Sequence, residues 1–269
     1  MKQSVSIIEN TVISAQDAGH DPDVRLLPGS GYAKAKICRM TLYAPETSGR
    51  AAPGQFINVY LNNESKLLPR PVGISDAGGD KLTIVYAVAG AGTKELSAYK
   101  PGTEIAIMGP LGNGYKFDEN RRHIILIGGG LGIPPLLFAA KSAGEQGYRT
   151  TALLGYRDET FMTDDFKAAA GTVHTITDNK GTVLDLAQGL MSVVSLDTSD
   201  ALILSCGPAP MLKAVSEWAE SLGIPTQISL EERMGCGYGA CVGCTIGTKG
   251  GRKKVCKDGP VFSGDEVVW

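Results

Sequence analysis

The residues most able to do chemistry are cysteines. Cys38 and Cys206 stand alone, whereas Cys236, Cys241, Cys244 and Cys256 crowd into the C-terminal end of the 269-residue chain. Their order, Cys-x4-Cys-x2-Cys-x11-Cys, is the plant-type spacing for a two-iron, two-sulfur cluster. Glycines at 235, 237, 239 and 243 interleave the first three. A tight loop that aims backbone N–H groups at inorganic sulfide needs residues without a Cβ. The rival reading is structural zinc, which prefers two short Cys pairs or Cys with His. Here there is one Cys-x2-Cys pair, and His20, His123 and His174 are all remote in sequence. The missing local His pair also speaks against a Rieske centre. Lys249, Arg252, Lys253, Lys254 and Lys257 flank the last cysteine. They either offset the charge of an anionic cluster, present a docking surface, or simply solvate a hairpin.

Glycine is the second signal: 35 residues, about 13% of the chain against the ~7% usual in proteins. Three segments use much of it. In the first, Arg70-Pro71-Val72-Gly73 is followed by a β-rich run through Val85, Tyr86 and Ala87 and then by Gly92-Thr93. Gly92-Thr93 should open a short helix whose free N–H groups suit a phosphate, with Arg70 supplying charge. The second, Gly128-Gly129-Gly130-Leu131-Gly132, precedes Pro134. It departs from the Rossmann fingerprint, because position 133 is Ile, yet it occupies the first turn of a strand–helix unit, where a dinucleotide pyrophosphate rests. The third, Cys206-Gly207-Pro208, ends a later strand and should face the same ligand. The alternative for Cys206 is an inert core residue.

The elements that must position these residues follow from periodicity. Up to residue 118 there are short alternating runs at 5–14, 32–43, 55–61, 71–75, 82–88 and 104–108, which predict a small antiparallel β-barrel. Residues 16–31, rich in Pro and Gly, are expected to form a loop or hairpin insertion. From 119 to 229 strands and helices alternate, which predicts an α/β doubly wound parallel sheet. The expected strands are 123–127, 150–154, 173–176, 201–205 and 227–230. The expected helices are 134–146, 164–170, 183–191 and 209–222. Residues 230–269 form the small C-terminal cluster domain. That tail is too small for a core of its own and is expected to depend on its metal.

Composition narrows the class. With 26 basic and 28 acidic residues the net charge is −2, and 43% of residues are hydrophobic. This excludes a basic nucleic-acid arm and a disordered linker. The start of the chain has no signal-peptide pattern, and the most apolar stretch, 124–140, is broken by glycine and proline. The expectations are a cytoplasmic protein with no membrane or nucleic-acid partner.

The tail, Gly235 to Cys244 followed by Lys254-Val-Cys-Lys-Asp-Gly-Pro-Val-Phe262, resembles the iron–sulfur flavoprotein electron-transfer subunits of NAD-dependent (class 1B) dihydroorotate dehydrogenase, within the ferredoxin reductase-like superfamily. The resemblance extends over essentially the whole chain. It implies a flavin-binding barrel, a pyridine-nucleotide domain and a cluster domain, with FAD, a 2Fe-2S cluster and NAD as acceptor. The family's flavin motif, Arg-Pro-hydrophobic-Ser, falls on Arg70, Pro71, Val72 and Gly73, and its further contacts fall on Val85, Tyr86, Ala87, Gly92 and Thr93. Gly73 replaces the usual Ser, and Ala87 sits where Arg is common, so two hydrogen-bonding side chains are missing. The nucleotide motifs fall on Gly128, Gly130, Gly132, Cys206, Gly207 and Pro208. Arg157 lies where the adenosine ribose is discriminated, and the residues leave NAD against NADP open.

The resemblance also implies a role in pyrimidine (UMP) biosynthesis. The partner would be an FMN-containing catalytic subunit, two copies of each forming a heterotetramer. Dihydroorotate would be oxidised there, and electrons would pass through the cluster and FAD to NAD+. No catalytic acid or base is assigned to this chain. Two alternatives stay open on sequence: the FAD/2Fe-2S subunit of a hydrogenase or a ferredoxin:NADP oxidoreductase, and a zinc-bearing, non-redox binding module.

Overall fold

The computed structural model describes residues 2–14, 36–63, 65–193 and 198–269. The insertion expected at 16–31 lies outside the described residues, as does the beginning of the run expected at 32–43.

Six strands close into an antiparallel barrel: β1 (Lys2–Ser14), β2 (Ile37–Tyr43), β3 (Phe56–Tyr60), β4 (Arg70–Gly78), β5 (Lys81–Ala87) and β6 (Glu104–Leu111), in the order β1-β2-β5-β4-β3-β6. Alternation does what the sequence suggests. Val5, Ile7, Met40, Leu42, Ile57, Val59, Ile84, Ile105 and Ile107 point inward and fill the barrel. Closure leaves no free sheet edge to pair with a neighbour. Two helices decorate it, the one-turn α1 (Pro45–Ser48), which has no counterpart in the sequence reading, and α2 (Ala91–Ala98).

The second unit begins with β7 (His123–Gly129), α3 (Ile133–Glu145), β8 (Arg149–Tyr156), α4 (Thr163–Ala169), β9 (Thr172–Thr177) and α5 (Val183–Val193). It continues with β10 (Ala201–Cys206), α6 (Ala209–Ser221) and β11 (Thr226–Ser229). Strands β11, β10, β7, β8 and β9 pair in parallel in that order. One face packs against α3 and α4 through Leu136, Ala140 and Phe166. The other packs against α5 and α6 through Val183, Ala187, Val215 and Ala219. The chain leaves β7 toward β8 and β9, then returns to place β10 on the other side. The topological switch point, where such sheets bind ligands, therefore lies between the carboxyl ends of β7 and β10.

The C-terminal segment forms a hairpin, β12 (Thr245–Thr248) with β13 (Gly251–Lys254), then a single helical turn, α7 (Val255–Asp258), and β14 (Val261–Ser263). Two features differ from the sequence reading. First, β14 joins the parallel sheet as an antiparallel edge strand on β11. Second, the tail is not coreless: Cys244, Val255, Cys256, Phe262 and Val267 share a buried cluster with Phe56 of the barrel, Leu212 of α6 and Ile228 of β11. A short segment has too few apolar residues to close a core, so it borrows one from both neighbours.

Candidate cofactor sites and cluster centre

The residues expected to hold flavin lie on β4, β5 and the start of α2, brought together because β4 and β5 are adjacent antiparallel strands. Arg70 opens β4, Ala87 ends β5, and α2 begins four residues later. The Arg70 guanidinium lies directly against Gly92: a Cβ there would sit 2.4 Å from its Nε. The absence of a Cβ at 92 lets that cation rest on the first turn of α2, where unpaired N–H groups already favour an anion. The Thr93 hydroxyl accepts the N–H groups of Ala89 (2.8 Å) and Gly90 (3.2 Å), which fixes the turn that enters the helix. This cradle fits a flavin pyrophosphate. Pro71, Val72 and Gly73 continue along β4, and Val85 joins the core shared with the α/β unit. The Tyr86 side chain points the other way, into the barrel, where its hydroxyl donates to Asn10 Oδ1 at 2.9 Å. Ala87 is buried at the strand end.

Gly73 stands where the resemblance implies Ser. A Cβ there would stand 2.8 Å from Pro135 Cγ of α3. Strand β4 thus leans on α3, the helix that follows the glycine turn 128–132, and the two expected cofactor sites adjoin at this contact.

The residues expected to receive the nucleotide meet at the switch point. Gly128 is the parallel partner of Cys206. Gly130 adopts φ +54° with open space around it, whereas a Cβ on Gly132 would lie 2.2 Å from the Cys206 carbonyl oxygen. The turn is therefore pressed against β10 at one residue and open to a ligand at another. It leads through a 3-10 turn into the N-terminus of the thirteen-residue α3, with Pro134 in its first turn, and this suits a pyrophosphate. Pro208 and Gly207 crowd against Gly129 and Met211 from β10. The Cys206 thiol is buried. Burial first, and then the charge of Glu231, push it up to about 12, so it stays protonated. Arg157 is exposed just beyond β8.

The four clustered cysteines form two pairs. The Sγ atoms of Cys244 and Cys256 are 3.2 Å apart, and Cys236 Sγ accepts the Cys241 N–H at 3.3 Å. Burial would raise the Cys236 thiol, but the N–H groups of Cys241, Tyr238 and Ala240 outweigh it and hold the thiol at about 6. Burial, helped by the neighbouring Cys244, pushes Cys256 up to about 12. Among the described residues no three His, Cys, Asp or Glu side chains gather around one point as a single ion requires. Two pairs suit a two-iron cluster, with one pair on each iron, better than mononuclear zinc. Donors aimed at sulfur are also the usual means of tuning such a cluster. The basic residues nearby are partly committed: Lys253 Nζ pairs with Glu266, and Lys254 Nζ donates to the Gly239 carbonyl at 2.7 Å.

Sequence reasoning missed what joins the units. Asn113 N–H donates to the Gly259 carbonyl at 2.6 Å, binding the end of the barrel to the tail. The Tyr115 hydroxyl donates to the Ser205 carbonyl at 3.0 Å, binding it to the sheet. Asn58 of β3 reaches the Cys236 carbonyl. None has a local signal, because each partner is far away in sequence. Among the described residues no helix is long and apolar enough to cross a membrane.

Residues 231–268 match the model of the iron–sulfur cluster binding domain of dihydroorotate dehydrogenase B. Over 229 residues the chain is 40% identical to the dihydroorotate dehydrogenase B (NAD(+)) electron transfer subunit of Shouchella clausii, covering 80% of this chain and 86% of that one. The protein of the same name from Caldanaerobacter subterraneus is 38% identical, with 81% and 87% covered. Among solved structures, that of an NADH-dependent reduced ferredoxin-NADP oxidoreductase superposes with TM-score 0.81 at 30% identity, over 98% of this chain and 90% of that one. A ferredoxin NADP+ reductase from Neisseria gonorrhoeae with bound FAD and NADP shares the fold, with TM-score 0.63 at 13% identity over 82% and 92%.

Proposed function

The chain belongs to the family of dihydroorotate dehydrogenase B (NAD(+)) electron transfer subunits, and from that premise we propose how its residues divide the work. It is an oxidoreductase subunit that uses FAD, a 2Fe-2S cluster and NAD. Nicotinamide exchanges hydride, the cluster exchanges single electrons, and flavin does both, so a chain holding all three converts two-electron into one-electron traffic.

The chain's part is positioning. Arg70 and the first turn of α2 hold the flavin phosphates, while Pro71 to Gly73, Val85, Ala87 and the backbone of Tyr86 border the ring system. Gly128, Gly130 and Gly132, with Cys206, Gly207 and Pro208, receive the nucleotide and bring it beside the flavin. The contact of Gly73 with Pro135 carries this reading, because it makes the two crevices neighbours. Cys236, Cys241, Cys244 and Cys256 hold the irons. Tyr238 and Val242, 53% and 73% exposed on the cluster loop, offer an apolar surface to the partner that delivers electrons.

That partner is an FMN-containing catalytic subunit that oxidises dihydroorotate, paired two and two with this chain in the cytoplasm. The test is co-expression with that subunit and assay of dihydroorotate-dependent reduction of NAD+ and of NADP+. NAD+ reduction that requires this chain supports the assignment. Reduction only with a ferredoxin supports the second reading, a ferredoxin-NADP oxidoreductase subunit, which the high superposition with that enzyme favours.

A further inference from the structure

Asn58 is wholly buried in the middle of β3. Its strand neighbours Ile57 and Val59 fill the barrel, so Asn58 and Phe56 turn outward, and Phe56 packs into the core shared with the tail. An amide at such a position costs stability unless it is bonded. Its Nδ2 donates to the carbonyl oxygen of Cys236 at 2.9 Å. Among the described residues its Oδ1 is buried without a hydrogen-bond partner, so the Cys236 carbonyl is the side chain's one bond. The carboxamide also packs against Gly237, where a Cβ would be 2.5 Å from Nδ2 and 2.6 Å from Oδ1, and where φ is +74°. Both constraints demand glycine between the first two cysteines. On the other side of the strand, Asn58 is the register partner of Pro71, and Phe56 of Gly73. One residue, through its strand pairing and its side chain, therefore links the strand assigned to flavin to the backbone of the first cluster ligand.

We propose that Asn58 is a positioning residue that fixes the cluster loop against β4 and thereby sets the efficiency of one-electron exchange between cluster and flavin, while holding neither group itself. This rests on the assignment of Arg70 to Gly73 to flavin and of the four cysteines to the cluster. A leucine of similar size would fill the space but leave the Cys236 carbonyl without its donor. An aspartate would keep the shape and set a carboxylate against that carbonyl. Tyr60 is next on the same outward face of β3, at its half-buried end, with Lys2 Nζ 4.2 Å over its ring.

The test uses the full chain loaded with flavin and iron. Asn58→Leu, Asn58→Asp and Asn58→Ser are mixed anaerobically with NADH, and flavin bleaching is followed separately from cluster reduction. Iron loss to a chelator is measured on the same samples. The expected result is an unchanged bleaching rate, cluster reduction slowed about 10- to 100-fold, as for loss of other outer partners of metal ligands, and faster iron loss. Asn58→Ser removes the bond without adding bulk and decides the matter if the larger variants do not fold. Unchanged cluster reduction and iron loss in loaded variants would overturn the inference, as would equal slowing of both steps. A wild-type chain that takes up no flavin or no iron would instead overturn the site assignment beneath it.

Discussion

At the residue scale, Gly73 and His123 show how a single position is fixed by what faces it. Restoring the family's serine at 73 places a Cβ 2.8 Å from Pro135. Overpacking of this kind costs about 1–3 kcal/mol, so Gly73→Ser should lower the thermal midpoint of the loaded protein. Adding Pro135→Ala should recover most of the loss, whereas simple additivity would show that the contact is not the cause. His123, buried at the start of β7, is poised as a neutral ring: its Nε2 is 2.9 Å from the Thr151 hydroxyl, and Arg149 donates to its Nδ1 at 3.2 Å. Burial, then Arg149, lower its pKa from 6.5 to about 4, against the opposing charge of Asp200. Between those values the unfolded chain binds the proton and the folded one does not. This contribution to stability is therefore complete above about pH 6.5 and fades as pH falls toward 4. The loss in urea midpoint from pH 7 to pH 5 should be smaller in His123→Gln than in the native chain, and an equal loss would remove His123 from the account.

At the scale of elements, the alternation in the barrel strands and the strand–helix rhythm after residue 119 were legible because each is a local pattern. So was the glycine turn at 128–132 as a link between strand and helix. Asn58 was not: a polar residue in a short strand reads as solvent-facing until a segment 178 residues away covers it. The same holds for β14, whose three residues carry no periodicity and gain strand character only by pairing with β11. The tail's dependence on iron must also be narrowed. Residues 244–263 are anchored by Val255 and Phe262 in a core shared with the barrel and sheet, whereas the loop from Met234 to Gly243 holds few buried side chains. Removing iron and sulfide should abolish hydrogen-exchange protection in residues 234–243 and leave β14 protected. Loss of protection through β14 would restore the picture of a wholly metal-dependent tail.

At the scale of the whole molecule, the three proposed sites form a line. The cluster loop touches β3 at Asn58, β3 pairs with β4, the strand assigned to flavin, and β4 leans through Gly73 on α3, which follows the glycine turn assigned to the nucleotide. Ion pairs between Arg39 and Asp165 and between Asp76 and Lys141 hold barrel and sheet together alongside that contact. On the proposed assignment, electron passage is an intramolecular property of the chain, and the partner docks at the cluster end. Anaerobic titration of the loaded chain with NADH, followed by visible and electron paramagnetic resonance spectra, tests this most directly. Flavin bleaching should be followed by the paramagnetic signal of a reduced 2Fe-2S cluster, and Cys241→Ser should keep the bleaching and lose the signal while Cys38→Ser keeps both. Bleaching in the native chain with no cluster signal, or zinc in place of iron at the four cysteines, would contradict the account.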